Sequence, residues 1–485
     1  MTLIIPFHNT YAHLPDRLFA RTAPTPVKAP RLLRLNLALA DELGLDRAKL
    51  ASPDGVQILA GNRLPVGAEP IAQAYAGHQF GHFNPQLGDG RAVLLGEFVG
   101  RDGRSVDLQL KGSGQTPWSR GGDGRAAVGP VLREYLISEA MHALGIPTTR
   151  ALAAVATGET VIRDARLPGA VLTRIASSHL RVGTFQYFAA RGDIDALRTL
   201  VDYAITRHYP HAGDARGLLA AVVVRQADLI ANWMMVGFIH GVMNTDNCSI
   251  AGETIDYGPC AFMDAYDPNT VFSSIDRGGR YRFGNQPSIA QWNLTRLAEA
   301  LLPLLAEDET QAVEIAQAVL AGFGERFTDT WIAGFARKLG IGQPQAGDQD
   351  LVQDLLTLMA DHRADFTLTF RSMADAAIGQ DALLQGHLGN TAALGDWLGR
   401  WHARCRLEPM PDAMRHSAMM AANPAVIPRN HLVEEALTAA VERGDLGPFD
   451  ALLAVLSRPY DEPTQPQYAQ PSRDGQDDYR TFCGT

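Results

Sequence analysis

The chain has 485 residues, 46% hydrophobic and 20% charged, with a formal net charge of −10. That length allows two or three lobes with cores of their own and an ordinary soluble composition, while the acidity excludes the basic footprint of nonspecific nucleic-acid binding. Four cysteines in such a length exclude a small disulfide-scaffolded secreted fold.

The opening Met1-Thr2-Leu3-Ile4-Ile5-Pro6-Phe7-His8 has no basic segment followed by a long apolar one, so it does not read as a signal peptide. Residues 1–60 read as an N-terminal extension of Pro-rich loop around one short amphipathic helix, predicted over 31–43 and closed by Gly44. Strand patterns follow at 92–95 and 106–110, flanking Gly100-Arg101-Asp102-Gly103, a hairpin signature. Next come a glycine-rich loop at 112–124, a helix at about 131–144 stopped by Gly145-Ile146-Pro147, and more strand-like sequence at 151–173. Residues 61–180 thus read as a small sheet-bearing lobe.

Helical patterns then dominate, at 194–207, 218–239, 289–305, 309–333, 348–362 and 431–443, giving a helical lobe over 181–459. The stretch 218–239 is the nearest to a membrane span. Arg225, Asp228 and Asn232 fall together on its wheel, which makes it a buried helix with one polar edge and leaves no membrane partner. The expected location is the cytoplasm. Residues 460–485, rich in Pro, Gln, Asp and Ser, read as a mobile tail. The fold class expected is α+β, a sheet-bearing lobe followed by a helical one.

The densest chemical signal is His240-Gly241-Val242-Met243-Asn244-Thr245-Asp246-Asn247, followed by Asp256-Tyr257-Gly258. Kinases use H-R-D-x-x-x-x-N and then D-F-G, in which the Asn and the second Asp hold metal. On that template Asn247 and Asp256 are metal ligands, suited to a hard cation such as Mg²⁺ that takes few protein oxygens and fills its shell from phosphates. Gly88 and Gly90 occupy the place of a phosphate loop, and Lys111, at the end of the next strand, that of the phosphate-binding lysine. Glu134 and Glu139 both lie on the following helix, and the pattern does not choose between them as partner of Lys111. Where a kinase has its catalytic Asp this chain has Val242, which can neither accept nor orient a proton. Asp246 is the nearest carboxylate in sequence.

Long strings, among them Gln73-Ala74-Tyr75-Ala76-Gly77-His78-Gln79-Phe80-Gly81, Leu110-Lys111-Gly112-Ser113-Gly114-Gln115-Thr116-Pro117 and Asn423-Pro424-Ala425-Val426-Ile427-Pro428-Arg429-Asn430-His431, resemble the selenoprotein O (YdiU) family along most of the chain. The resemblance implies a protein-kinase-like two-lobed fold carrying a protein adenylyltransferase. ATP lies flipped, so that AMP passes to Ser, Thr or Tyr hydroxyls of proteins, or UMP from UTP with Mn²⁺. It implies nucleotide binding by Gly88, Gly90, Arg91, Lys111, Asp123, Gly124, Arg174, Arg181 and Asp256, and Glu134 as the partner of Lys111. The base would be Asp246, with Mg²⁺ or Mn²⁺ on Asn247 and Asp256. Some relatives join a cysteine near the C-terminus to the segment after the metal Asp, which here leaves Cys483 with Cys260 or Cys248. A phosphotransferase and an inert ATP-binding scaffold are the rival readings; Val242 speaks against the first, and intact Asp246, Asn247 and Asp256 against the second.

Overall fold

In the computed structural model, which describes residues 3–482, the expected hairpin sits at the centre of a large antiparallel sheet. The strands in chain order are β1 (Phe19–Arg21), β2 (Arg31–Leu35), β3 (Ile71–Gln73), β4 (Gly77–Gln79), β5 (His82–Asn84), β6 (Ala92–Val99), β7 (Ser105–Lys111), β8 (Ala126–Ala127), β9 (Arg150–Ile162), β10 (Arg166–Ala176), β11 (Phe238–Ile239) and β12 (Ala261–Phe262). The sheet runs β1-β3-β6-β7-β10-β9-β2, with β8 beside β10; β4 pairs with β5 and β11 with β12.

The alternation in β7 decides what each face of the sheet meets. Leu108 and Leu110 point into a cluster with Leu39, Leu50, Ile58 and Leu59 of the N-terminal helices. Asp107, Gln109 and Lys111 therefore point the other way, because side chains on a strand alternate. Register places Gln109 opposite Arg174 of β10 and Lys111 opposite Leu172, so the two cations belong to neighbouring strands. The helix Val128–Ala143 covers this second face, packing Val131, Leu132, Tyr135 and Leu136 into one core with Leu94, Ala154 and Leu172.

Three expectations change. Residues 31–43 are not one helix: 31–35 form β2 and complete the open edge of β9, pairing Leu32 with Val155. The helix Leu37–Glu42 starts only after Asn36, whose side chain accepts from Leu39 N at 3.0 Å. The stretch 309–333 is two helices, Glu309–Leu320 and Gly322–Lys338, parted at Ala321 just before two glycines that weaken a helix. The tail is pinned rather than loose along 476–482. Gln476 Nε2 donates to Ala265 O (2.7 Å), Thr481 N to Phe272 O (2.8 Å) and Thr481 Oγ1 to Pro259 O (2.7 Å). Composition reads such a segment as mobile because it cannot see these bonds to backbone groups far away in the chain.

The stretch 218–239 is the helix Ala215–Met235, ended before Gly237 at φ 70°, and then β11. This helix is long and apolar enough to cross a bilayer, but it packs against Gln286–Leu305 and Gly322–Lys338. Its polar edge faces out, where Asp228 accepts from Arg326 (2.7 and 2.8 Å) and Thr330 (2.7 Å).

The last residue of Gly322–Lys338 is itself buried. The Lys338 ammonium lies 4.7 Å from the Phe370 ring centroid with no carboxylate in ion-pair range among the described residues, and burial pushes it down to about 7. An unfolded lysine titrates near 10.4, so between about pH 7 and 10 the unfolded chain holds a proton that the folded one has lost. Stability from this group rises with pH across that window. Lys338→Met is expected to raise the denaturation midpoint at neutral pH, with the gain shrinking toward pH 10; a gain that does not depend on pH would refute the assignment.

Candidate nucleotide site

The loop at 240–247 is built around a buried histidine. His240 Nε2 donates to Ile255 O (2.9 Å), Nδ1 accepts from Val242 N (3.3 Å), and Trp233 stacks on the ring at 5.4 Å. These contacts tie residues 242–247 to the 255–258 segment. Asn247 spends its amide N–H on Val242 O (2.9 Å), which leaves its carbonyl oxygen for a ligand. Asp256 stands at φ 64°, a left-handed conformation that costs a non-glycine residue about 1–2 kcal/mol. The carboxylate it aims inward meets three cations.

Asp256 Oδ1 accepts from Lys111 Nζ and from Arg174 Nη2, both at 2.6 Å, and Oδ2 accepts from Arg181 Nη1 at 3.1 Å. Burial alone would raise this carboxyl, but Arg174, Lys111 and Arg181 together hold it well below the usual range. Of the two acids left open by the pattern, Glu134 is the one that meets Lys111 (2.7 Å), and it also accepts from Arg174 Nε (2.8 Å). Glu139 faces away and takes Arg150 at 2.7 Å. Arg181 extends the cluster, donating to Asp246 O (2.9 Å), lying 3.8 Å from Asp89 and resting on Tyr75 at 4.6 Å.

This cluster forms the floor of a cleft of about 1150 Å³. Its opposite wall is made of two glycine loops clasped together. A Cβ on Gly88 would stand 2.2 Å from the Trp118 ring, and one on Gly90 would stand 2.8 Å from Trp118 O. Thr116 Oγ1 donates to Asp89 O at 2.7 Å. Gly124, at φ 66°, passes so close to Gly114 that a Cβ would lie 2.1 Å from its oxygen. Asp123 is exposed and paired with Arg163 (2.9 and 3.0 Å), and Arg91 lines the cleft between these loops.

Asp246 also lines the cleft. Its Oδ1 is buried without a hydrogen-bond partner among the described residues, and burial pushes the carboxyl up to about 6 against the pull of Arg181. Val242, at the kinase base position, lines the same cleft. No group of three or more His, Cys, Asp or Glu able to hold a metal occurs among the described residues. Two oxygen donors lining one cleft, Asn247 and Asp256, nevertheless suit Mg²⁺ or Mn²⁺, which complete their shells from phosphate and water. Cys260 is fully buried, its thiol pushed up to about 12 by burial, and Cys248 is buried likewise; Cys483 lies outside the described residues.

A family model described as protein adenylyltransferase SelO matches residues 2–457. The chain belongs to the SelO family. It is 63% identical over its full length, and over the full length of the relative, to the protein nucleotidyltransferase YdiU of Rhodopseudomonas palustris strain BisB5. Proteins of the same name from Methylorubrum extorquens and Bradyrhizobium sp. strain ORS 278 are 63% and 60% identical, again over all of both chains. In this SelO chain three site residues escaped the motif reading: Tyr75 under Arg181, Asp89 behind it, and Gln79, whose amide reaches Asp246 Oδ2 at 3.4 Å. The string 73–81 that carried the resemblance contains two of them, but no kinase template assigns it a role.

Proposed function

We propose that the chain transfers AMP from ATP to Ser, Thr or Tyr hydroxyls of proteins, with Mg²⁺ or Mn²⁺, and that UTP is a second donor with Mn²⁺. In this reading 61–180 and 181–459 are the two lobes of a kinase-like frame, with 1–60 and 460–485 as extensions. The observation that carries it is the pairing of a valine at the kinase base position with Asp246 in the same cleft, a carboxylate with one oxygen that has no hydrogen-bond partner among the described residues. The acceptor hydroxyl gives its proton to Asp246 as its oxygen bonds to the α-phosphorus. The bond from that phosphorus to the bridging oxygen breaks, and pyrophosphate leaves. Lys111, Arg174 and Arg181 stabilise the charge that grows on the leaving group, a contribution that positioned electrostatics make large. Asn247 and Asp256 would hold the metal, which supplies charge neutralisation on the phosphates.

Incubation with Mg²⁺ and ATP labelled at the α or the γ position distinguishes the chemistries. The expected result is label on protein from α-ATP alone, a mass gain of one AMP, and free pyrophosphate. Label from γ-ATP alone would overturn the reading in favour of a phosphotransferase, and label from neither would favour an inert scaffold.

A further inference from the structure

The β4–β5 hairpin is docked on the catalytic loop through three consecutive residues. His78 N donates to Thr245 Oγ1 (2.7 Å), Gln79 Nε2 to Asp246 Oδ2 (3.4 Å), and Phe80 N to Asn244 Oδ1 (3.0 Å). The contact is shaped as well as bonded. A Cβ on Gly77 would stand 2.7 Å from Asp246 Oδ1, and Phe80 holds a left-handed φ of 51° at the turn. Behind the loop, Thr245 Oγ1 donates to Gln186 Oε1 (2.7 Å), and Gln186 Nε2 meets His78 Nδ1 at 2.8 Å, which closes a ring between hairpin, helix Val182–Ala189 and loop.

We infer that Gln79 is a positioning residue for Asp246. Its amide holds Oδ2 while Gly77 packs against Oδ1, which has no hydrogen-bond partner among the described residues, so the hairpin fixes the carboxylate in the cleft. The hairpin gives the loop a second wall through its contacts with Asn244, Thr245 and Asp246. The assignment rests on the reading of Asp246 as the base.

A hydrogen bond to a charged group is worth about tenfold or more in rate when it acts only through that group. Gln79→Met keeps the volume and removes the donor; Gln79→Ala removes both. Both are expected to lower kcat for AMP transfer about tenfold, with KM for ATP unchanged. In an Asp246→Asn background, Gln79→Met is expected to add nothing, since the residue acts through the one already removed. Losses that multiply in the double variant, or a change confined to KM, would overturn the positioning role alone. A full rate in Asp246→Asn itself would overturn the reading of the base, and the role of Gln79 with it.

Discussion

Asp246→Asn is expected to slow AMP transfer by about 10²–10⁴-fold, the usual contribution of a general base, and to leave ATP affinity essentially unchanged. The separation follows from what the carboxylate touches. Its side chain meets Gln79, and among the described residues its hydrogen-bonded link to the cation cluster is through its backbone oxygen, which accepts from Arg181. Asparagine keeps the shape and the Gln79 contact region but cannot take a proton. Single-turnover rates with a fixed acceptor, beside calorimetric titration with ATP and Mg²⁺, measure both halves. Equal loss of affinity and rate would mean that Asp246 binds the nucleotide or its metal rather than serving as base.

Asp256→Ala acts on the opposite side of that division. It removes a proposed metal ligand and the shared counter-charge of Lys111, Arg174 and Arg181. Arg174 and Arg181 are almost wholly buried, and breaking a buried pair from one side costs about 3–5 kcal/mol. The left-handed backbone adds strain, because alanine tolerates that conformation less well than aspartate. Metal-dependent ATP binding is expected to vanish and the denaturation midpoint of the free protein to fall by several degrees. Asp256→Asn, which keeps the backbone preference, should recover part of the stability and none of the binding. An Asp256→Ala protein as stable as the parent would show that the cations do not depend on it.

The parts of the site legible in sequence were those with a fixed local spacing. His240, Asn247 and Asp256 sit in one loop-and-turn unit, and the strand alternation around Lys111 places it on a predictable face. Choosing Glu134 over Glu139 needed the helix to be rotated against a known sheet, which spacing alone does not do. Asp89 and Tyr75 were not legible because each works by contact with Arg181, more than 90 positions away. The fold shows the same divide. Helices with strong periodicity were found to within a few residues, whereas β2 was read as helix because its pairing partner, β9, lies more than 110 positions downstream.

The charge arithmetic of the cleft has a consequence for selectivity. Lys111, Arg174 and Arg181 supply three positive charges, and Glu134, Asp256 and Asp89 stand against them with three carboxylates. The cluster is thus close to internally compensated, more like a loaded ion-exchange resin than a bare anion trap. A small anion such as inorganic phosphate gains little at this cluster, since each of its three cations already has a partner. A triphosphate that arrives with its own divalent ion can trade partners instead, releasing carboxylate to metal and cation to phosphate in one exchange.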